Sequence, residues 1–134
     1  MVDLAFETEH VFADDPTGGI VLDVEITLSD RPVRLKAHVD SGAANCLFQA
    51  EYAQCLGVNL REGVTKRFSV SDGGAIVAFG HEVNLTVLGH TVTSVVYFTE
   101  HEGFRRNVLG RQGWFHHFRI GLALYNSKIY LGRI

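Results

Sequence analysis

Apolar residues alternate through Val33, Leu35, Ala37 and Val39, and the alternation then runs straight into an acid, a hydroxyl and a glycine at Asp40-Ser41-Gly42. A carboxylate at the end of a buried strand is costly unless it is hydrogen-bonded or functional. Gly42 lets the backbone turn sharply and brings main-chain N–H groups close to that carboxylate. The chain regains apolar character at Leu47 and Phe48. The fold must therefore carry a strand to an acid-bearing turn and return at once to the core. Taken alone, the stretch also reads as a tight turn capped by Asp40.

The surrounding pattern is that of short strands. Ile20, Leu22, Val24, Ile26 and Leu28 share one face while Asp23, Glu25 and Thr27 share the other, the period of a half-buried strand. Ser29 to Pro32 supplies a turn, and Val33 to Val39 returns as the second arm of a hairpin. A short helix is predicted over residues 49–57, with Tyr52, Cys55 and Leu56 on one face and Gly57 at its stop. Strand character resumes at Thr65, turns at Ser71-Asp72-Gly73-Gly74, and returns over Ala75–Phe79. Val83–Val87 and Val92–Phe98 form the next pair around Leu88-Gly89-His90. Val108 and Leu109 precede a second short helix expected over Gln112–Phe118, and a last hairpin turns at Asn126-Ser127. Evenly spaced short strands favour an all-β, closed or orthogonally packed barrel.

Composition removes several classes of function. A chain of 134 residues fits one domain with a sizeable core. A net charge of -3 offers no basic patch for nucleic acid. No apolar run approaches the roughly eighteen residues that cross a bilayer, and the acidic N-terminus lacks the basic and apolar regions of a signal peptide. A cytoplasmic location is expected, without nucleic acid or membrane as partner. Cys46 and Cys55 sit among apolar neighbours and are expected to be reduced core thiols. The seven histidines form no His-Glu-x-x-His pattern, and the adjacent His116 and His117 must point apart, so no metal site is expected.

Asp40-Ser41-Gly42-Ala43 closely resembles the Asp-Thr/Ser-Gly signature of aspartic proteases, with Ala43 resembling the retroviral-type, or retropepsin-like, branch. Further features fall in that family's order. Asp72-Gly73-Gly74 occupies the place of the flap that folds over bound peptide. Val108-Leu109-Gly110-Arg111 is similar to the apolar-apolar-Gly-Arg segment that, in the family, crosses closely behind the catalytic turn. The run from Phe115 to Leu131 reads like the closing strands of a pepsin lobe. The resemblance spans roughly residues 18 to 133, implying an N-terminal segment of residues 1–17 and one retropepsin-like domain over 18–134.

The resemblance implies a pepsin/retropepsin-like closed β-barrel, one lobe per chain, and an aspartic endopeptidase without cofactor. Its dyad would need two carboxylates, yet Asp40-Ser41-Gly42 occurs once, so a homodimer with Asp40 from each subunit is implied. In this reading Ser41, Gly42 and Ala43 support the catalytic loop, and Asp72, Gly73 and Gly74 form the flap against a peptide or protein substrate. Two departures stand out. Ser41 replaces the commoner threonine but keeps the hydroxyl. Ala44 replaces the acid that in retroviral enzymes pairs with the arginine after the glycine, so Arg111 needs another partner. Two other functions fit the same barrel: a catalytically inactive dimeric peptide-binding or scaffold module, and a small-ligand barrel with Asp40 inside its cavity.

Overall fold

The computed structural model describes residues 1–13, 15, 18–69 and 73–134. Its strands, in chain order, are β1 (Thr8–Val11), β2 (Val21–Leu28), β3 (Arg31–Val39), β4 (Leu47–Gln49), β5 (Val64–Ser69), β6 (Ala75–Val87), β7 (His90–Thr99), β8 (Val108–Leu109), β9 (Phe118–Ala123) and β10 (Lys128–Arg133). One α-helix, α1 (Ala50–Leu56), lies between β4 and β5. Among the described residues no helix is long and apolar enough to cross a membrane.

The larger sheet runs β2-β3-β8-β4-β7-β6-β5, and β2 also pairs with β6, which bends the sheet into a barrel-like ring. The long strand β6 makes this closure possible. Its first half, from Ala75 to Gly80, pairs with β5, and its second half, from Asn84 to Val87, pairs with β2. The sequence pattern suggests two strands broken near Gly80-His81-Glu82, but the chain runs through. The ring of Tyr97, opposite Gly80 on β7, explains why: a Cβ on Gly80 would lie 2.8 Å from Tyr97 Cε1. That glycine makes room for an aromatic neighbour rather than starting a turn.

Alternation in β2 fixes which residues enter the barrel. Leu22, Val24 and Ile26 are buried, while Asp23 reaches solvent and pairs with Lys36 on β3. Ile26, with no exposed surface, sits opposite Val33 on one side and Leu85 on the other. The β2–β3 hairpin is tighter than the sequence suggests. Its turn consists of Ser29 and Asp30, and Arg31 and Pro32 already belong to β3, opposite Leu28 and Thr27.

Helix α1 forms as expected and stops at Gly57, whose φ of 80° suits the left-handed cap. Its buried face is Ala53 and Leu56, with Tyr52 half-buried, and Cys55 is exposed instead of joining the core. The second predicted helix is reduced to a three-residue 3-10 turn, Phe115–His117. Gly113 at φ 103° and Trp114 at φ -135° leave helical space before a helix can nucleate. The N-terminal segment contributes β1, which joins β10 and β9 in a separate three-stranded sheet.

Closure through β2 and β6 makes Ile26 a sensitive position. Ile26→Ala is expected to lower unfolding free energy by about 2–5 kcal/mol, measured by urea denaturation. Val64→Thr on the exposed face of β5 should stay within about 0.5 kcal/mol of the parent.

Candidate active site

The turn that carries Asp40 is held from behind by β8. This two-residue strand lies between β3 and β4, the strands that enter and leave the turn. It runs parallel to β3, with His38 opposite Val108 and Val39 opposite Leu109, and antiparallel to β4, with Leu47 opposite Val108. Hydrogen bonds continue the crossing on both sides. Asp40 N donates to Leu109 O at 3.0 Å, Arg111 N to Ala43 O at 2.9 Å, and Gln112 N to Ala44 O at 2.8 Å. Each such bond contributes only about 0.5–1.5 kcal/mol net, but a buried group left unpaired costs more. The buried Asn107 anchors the entry to this crossing. Its Oδ1 accepts from Gln49 N and its Nδ2 donates to Lys36 O.

Gly110 is where the two segments come closest. A Cβ there would overlap the backbone carbonyl carbon and oxygen of Asn45 and lie 2.9 Å from Ala43 O. These are main-chain atoms of the Asp40 turn and of the residue that follows it, and they cannot rotate away. Cys46 packs beneath, fully buried, and its Sγ accepts the Gly110 N–H at 3.4 Å. Burial pushes the Cys46 thiol up to about 12, against a smaller opposing effect from that hydrogen bond.

Within the turn, Gly42 N donates to Asp40 Oδ1 at 2.9 Å, and Ala43 N to Asp40 O at 3.2 Å. The carboxylate is thus oriented by the loop that follows it. Asp40, Ser41 and Gly42 are solvent-exposed in the single chain, so Asp40 does not face the barrel interior as a small-ligand site would require. Arg111 finds its partner in the same turn: Nη1 donates to Ser41 O at 2.8 Å. The guanidinium does locally, through a main-chain carbonyl, what the sequence left open once Ala44 removed an acid.

Asp40, Gly42 and Ala43 open onto a cleft of about 480 Å³. The opposite wall is the β5–β6 hairpin, through Lys66, Phe68 and Ser69 on β5 and Ile76 on β6. Phe104 and Val108 complete the floor. The predicted flap glycines lie in this hairpin. Gly73 has a φ of 86°, Gly74 is exposed, and Asp72 falls outside the described residues. Sequence reasoning missed Asn45, Lys66, Phe68 and Phe104, since no motif marks residues that reach a cleft through strand pairing, as Lys66 and Phe68 do, or from a turn and a loop, as Asn45 and Phe104 do. A larger groove of about 740 Å³, beside Tyr52 and Arg105, carries the Asp23–Lys36 and Glu25–Arg34 ion pairs and lies apart from Asp40. The larger groove is therefore not the one that Asp40 opens onto.

The barrel-like ring, the crossing β8 and the exposed Asp40 turn that it braces are those of a retropepsin-like fold. A retropepsin-like aspartic protease from Rickettsia conorii matches it with a TM-score of 0.69 at 20% identity, over 92% of this chain and 98% of that one. The EIAV protease complexed with the inhibitor HBY-793 matches with a TM-score of 0.55 at 16% identity, over 72% of this chain and 86% of that one. No curated protein matches in sequence. The chain belongs to the aspartyl protease family, whose sequence profile matches residues 24–112.

Two outcomes test this construction. Gly110→Ala is expected to cost about 1–3 kcal/mol through overpacking against main chain, read as a lower thermal midpoint. A midpoint equal to the parent's would show that β8 crosses with room to spare. Thiol labelling with maleimide at about pH 8 should modify one cysteine per native chain, Cys55, and both after denaturation, because the thiolate is the reactive form. Rapid native labelling of Cys46 would contradict its burial.

Proposed function

We propose that the protein is an aspartic endopeptidase acting as an isologous homodimer, in which Asp40 of each chain holds one shared water. The observation that carries this reading is the placement of Asp40. An exposed carboxylate, oriented by Gly42 N–H, stands at the mouth of a cleft walled by a β-hairpin. The chain has one Asp-Ser-Gly sequence and no second copy, so a dyad requires a second subunit about a two-fold axis.

The chemistry follows from two carboxyl groups sharing a confined space. Two like charges a few ångströms apart do not both ionise, so the pair titrates in two separated steps. The ionised Asp40 takes a proton from the water as its oxygen attacks the scissile carbonyl carbon. The protonated Asp40 of the other subunit donates to the carbonyl oxygen. Transfer of a proton to the amide nitrogen then releases the amine product. In this reading Ser41 braces the paired turns across the axis, Ala43 lines the cleft, and Val108 to Arg111 hold the loop from behind. Asp72, Gly73 and Gly74 tip a flap that closes over the peptide and excludes water. Substrate lies extended, adding a strand with alternate side chains in apolar subsites.

Sedimentation equilibrium combined with cleavage of a peptide library tests this reading. The expected result is a dimer at micromolar concentration whose activity falls more than about 10²-fold in Asp40→Asn, with an unchanged thermal melt. A chain that stays monomeric at high concentration, or undiminished cleavage by the pure variant, overturns the dyad. A dimer that binds peptides but never cleaves them belongs instead to the inert binding-module reading.

A further inference from the structure

We propose that Lys66 makes the Asp40 cleft selective for peptides with an acidic side chain, an inference that rests on the peptidase reading above. Lys66 lies on β5 in the cleft wall, with its side chain half-buried. Its Nζ stands 5.3 Å from the ring centroid of Phe68 and 5.5 Å from that of Tyr97. Those two rings pack edge-on at 5.4 Å, forming a corner that holds the ammonium by attraction to their faces. Nζ also donates to Asn45 Oδ1 at 2.9 Å, and Asn45 lines the same cleft just beyond the catalytic turn.

These contacts fix the charge without neutralising it. An ammonium has three N–H donors, and the bond to Asn45 uses one. Among the described residues no carboxylate pairs with Lys66. The described residues lining the cleft include two cations, Lys66 and Arg67, and one acid, Asp40. A lysine in open solvent must be ordered before it binds an anion, and that ordering weakens the interaction. Lys66 is already ordered, so a carboxylate entering the cleft gains a charge-assisted bond at little entropic cost. A lysine or arginine side chain entering there meets repulsion. In the proposed dimer Lys66 occurs once in each half of the cleft, so the preference falls on two peptide positions, one on each side of the scissile bond.

The test separates specificity from catalysis by measuring binding. A positional library of extended peptides, acetylated and amidated so that only side chains carry charge, is titrated onto the Asp40→Asn protein. Members come in pairs that differ by Glu against Gln at one position. The expected result is one or two positions where Glu binds about five- to tenfold more tightly than Gln, with the difference shrinking as salt is raised. Lys66→Met, which keeps the apolar stem, should abolish it. Lys66→Gln, which keeps a hydrogen-bonding head, serves if the methionine variant melts early. Equal binding of Glu and Gln members at every position overturns the proposal, as does a Glu preference that survives both variants. Adding the same peptides with free C-termini asks whether a terminal carboxylate takes the site instead, and tighter binding only of those peptides also overturns it. Wild-type protein incubated with the library reports on the peptidase reading separately. Glu-selective binding without cleavage removes the peptidase and leaves Lys66 selectivity standing, whereas no binding by any peptide overturns both.

Discussion

The passage of β8 between β3 and β4 is the constraint on which the rest of the site depends. Two residues of strand, Val108 and Leu109, separate the arm that delivers Asp40 from the arm that leaves it. Without them, the inner edges of the two arms that flank the Asp40 turn would lose their shared main-chain partner, since the outer edges pair with β2 and β7. With them, Asp40 N, Ala43 O and Ala44 O are all bonded to the crossing segment. The crossing needs backbone to touch backbone at Gly110, where a Cβ would overlap Asn45. A side chain at that point would push the crossing strand outward and loosen the turn that aims the carboxylate. One absent methyl group therefore governs the position of a functional group several residues away in the fold.

Cys46 and Arg111 brace the same turn from opposite sides. Cys46 Sγ accepts the Gly110 N–H from within the core, where burial keeps the thiol neutral. Arg111 reaches the turn from the solvent side and holds Ser41 O. Retroviral-type pairing of this arginine with an acid would tie the turn to a charged network. Here the guanidinium is satisfied by a carbonyl of the turn itself, and Ala44 is left free of any electrostatic role. Bracing of this kind is internal to one chain. The orientation of Asp40 is thus set within the single chain, by Gly42 N–H and the main-chain bonds to the crossing segment.

The parts legible in the sequence were those governed by local rules. The period-two alternation of β2, the glycine stop of α1 and the acid–hydroxyl–glycine turn announce themselves within a few residues, whereas the tight glycine at 110 was marked only by the family resemblance. Other features depend on what lies across the sheet. β6 looks broken at Gly80 until Tyr97 is seen to need the space. Gln112–Phe118 has helical spacing, but Gly113 adopts a left-handed φ that the spacing does not reveal. β1 carries the polar residues Thr8 and His10 along with Val11 and becomes a strand because β10 offers it an edge. Cys55 shares a helical period with Leu56, yet the helix turns it outward. Lys66 has no motif at all, and only the pairing of β5 with β6 brings it to the cleft.

This division bears on how such a fold can recur in chains that differ at most positions. The contacts that aim Asp40 are almost all made by main-chain atoms: Leu109 O, Ala43 O, Ala44 O, Ser41 O and Gly42 N. Main-chain acceptors are present whatever the side chains, so the geometry constrains identity only where a side chain must be missing or must itself accept a bond, as the Asp40 carboxylate does from Gly42 N–H. Those positions are few: the acid at 40, the small residues that let the turn close, and the glycine at 110. The barrel around them needs apolar residues of suitable volume on the inward face, a demand that many sequences meet. A match of the whole fold to a protease sharing 20% of its residues is then the expected consequence. The cleft walls are under no such restriction. Phe68 and Phe104 reach the cleft as side chains on a strand and a loop, and Lys66 meets the end of the turn through its side-chain bond to Asn45 Oδ1. It is there, and not at the carboxylate, that the chemistry of the cleft can differ from one such chain to another.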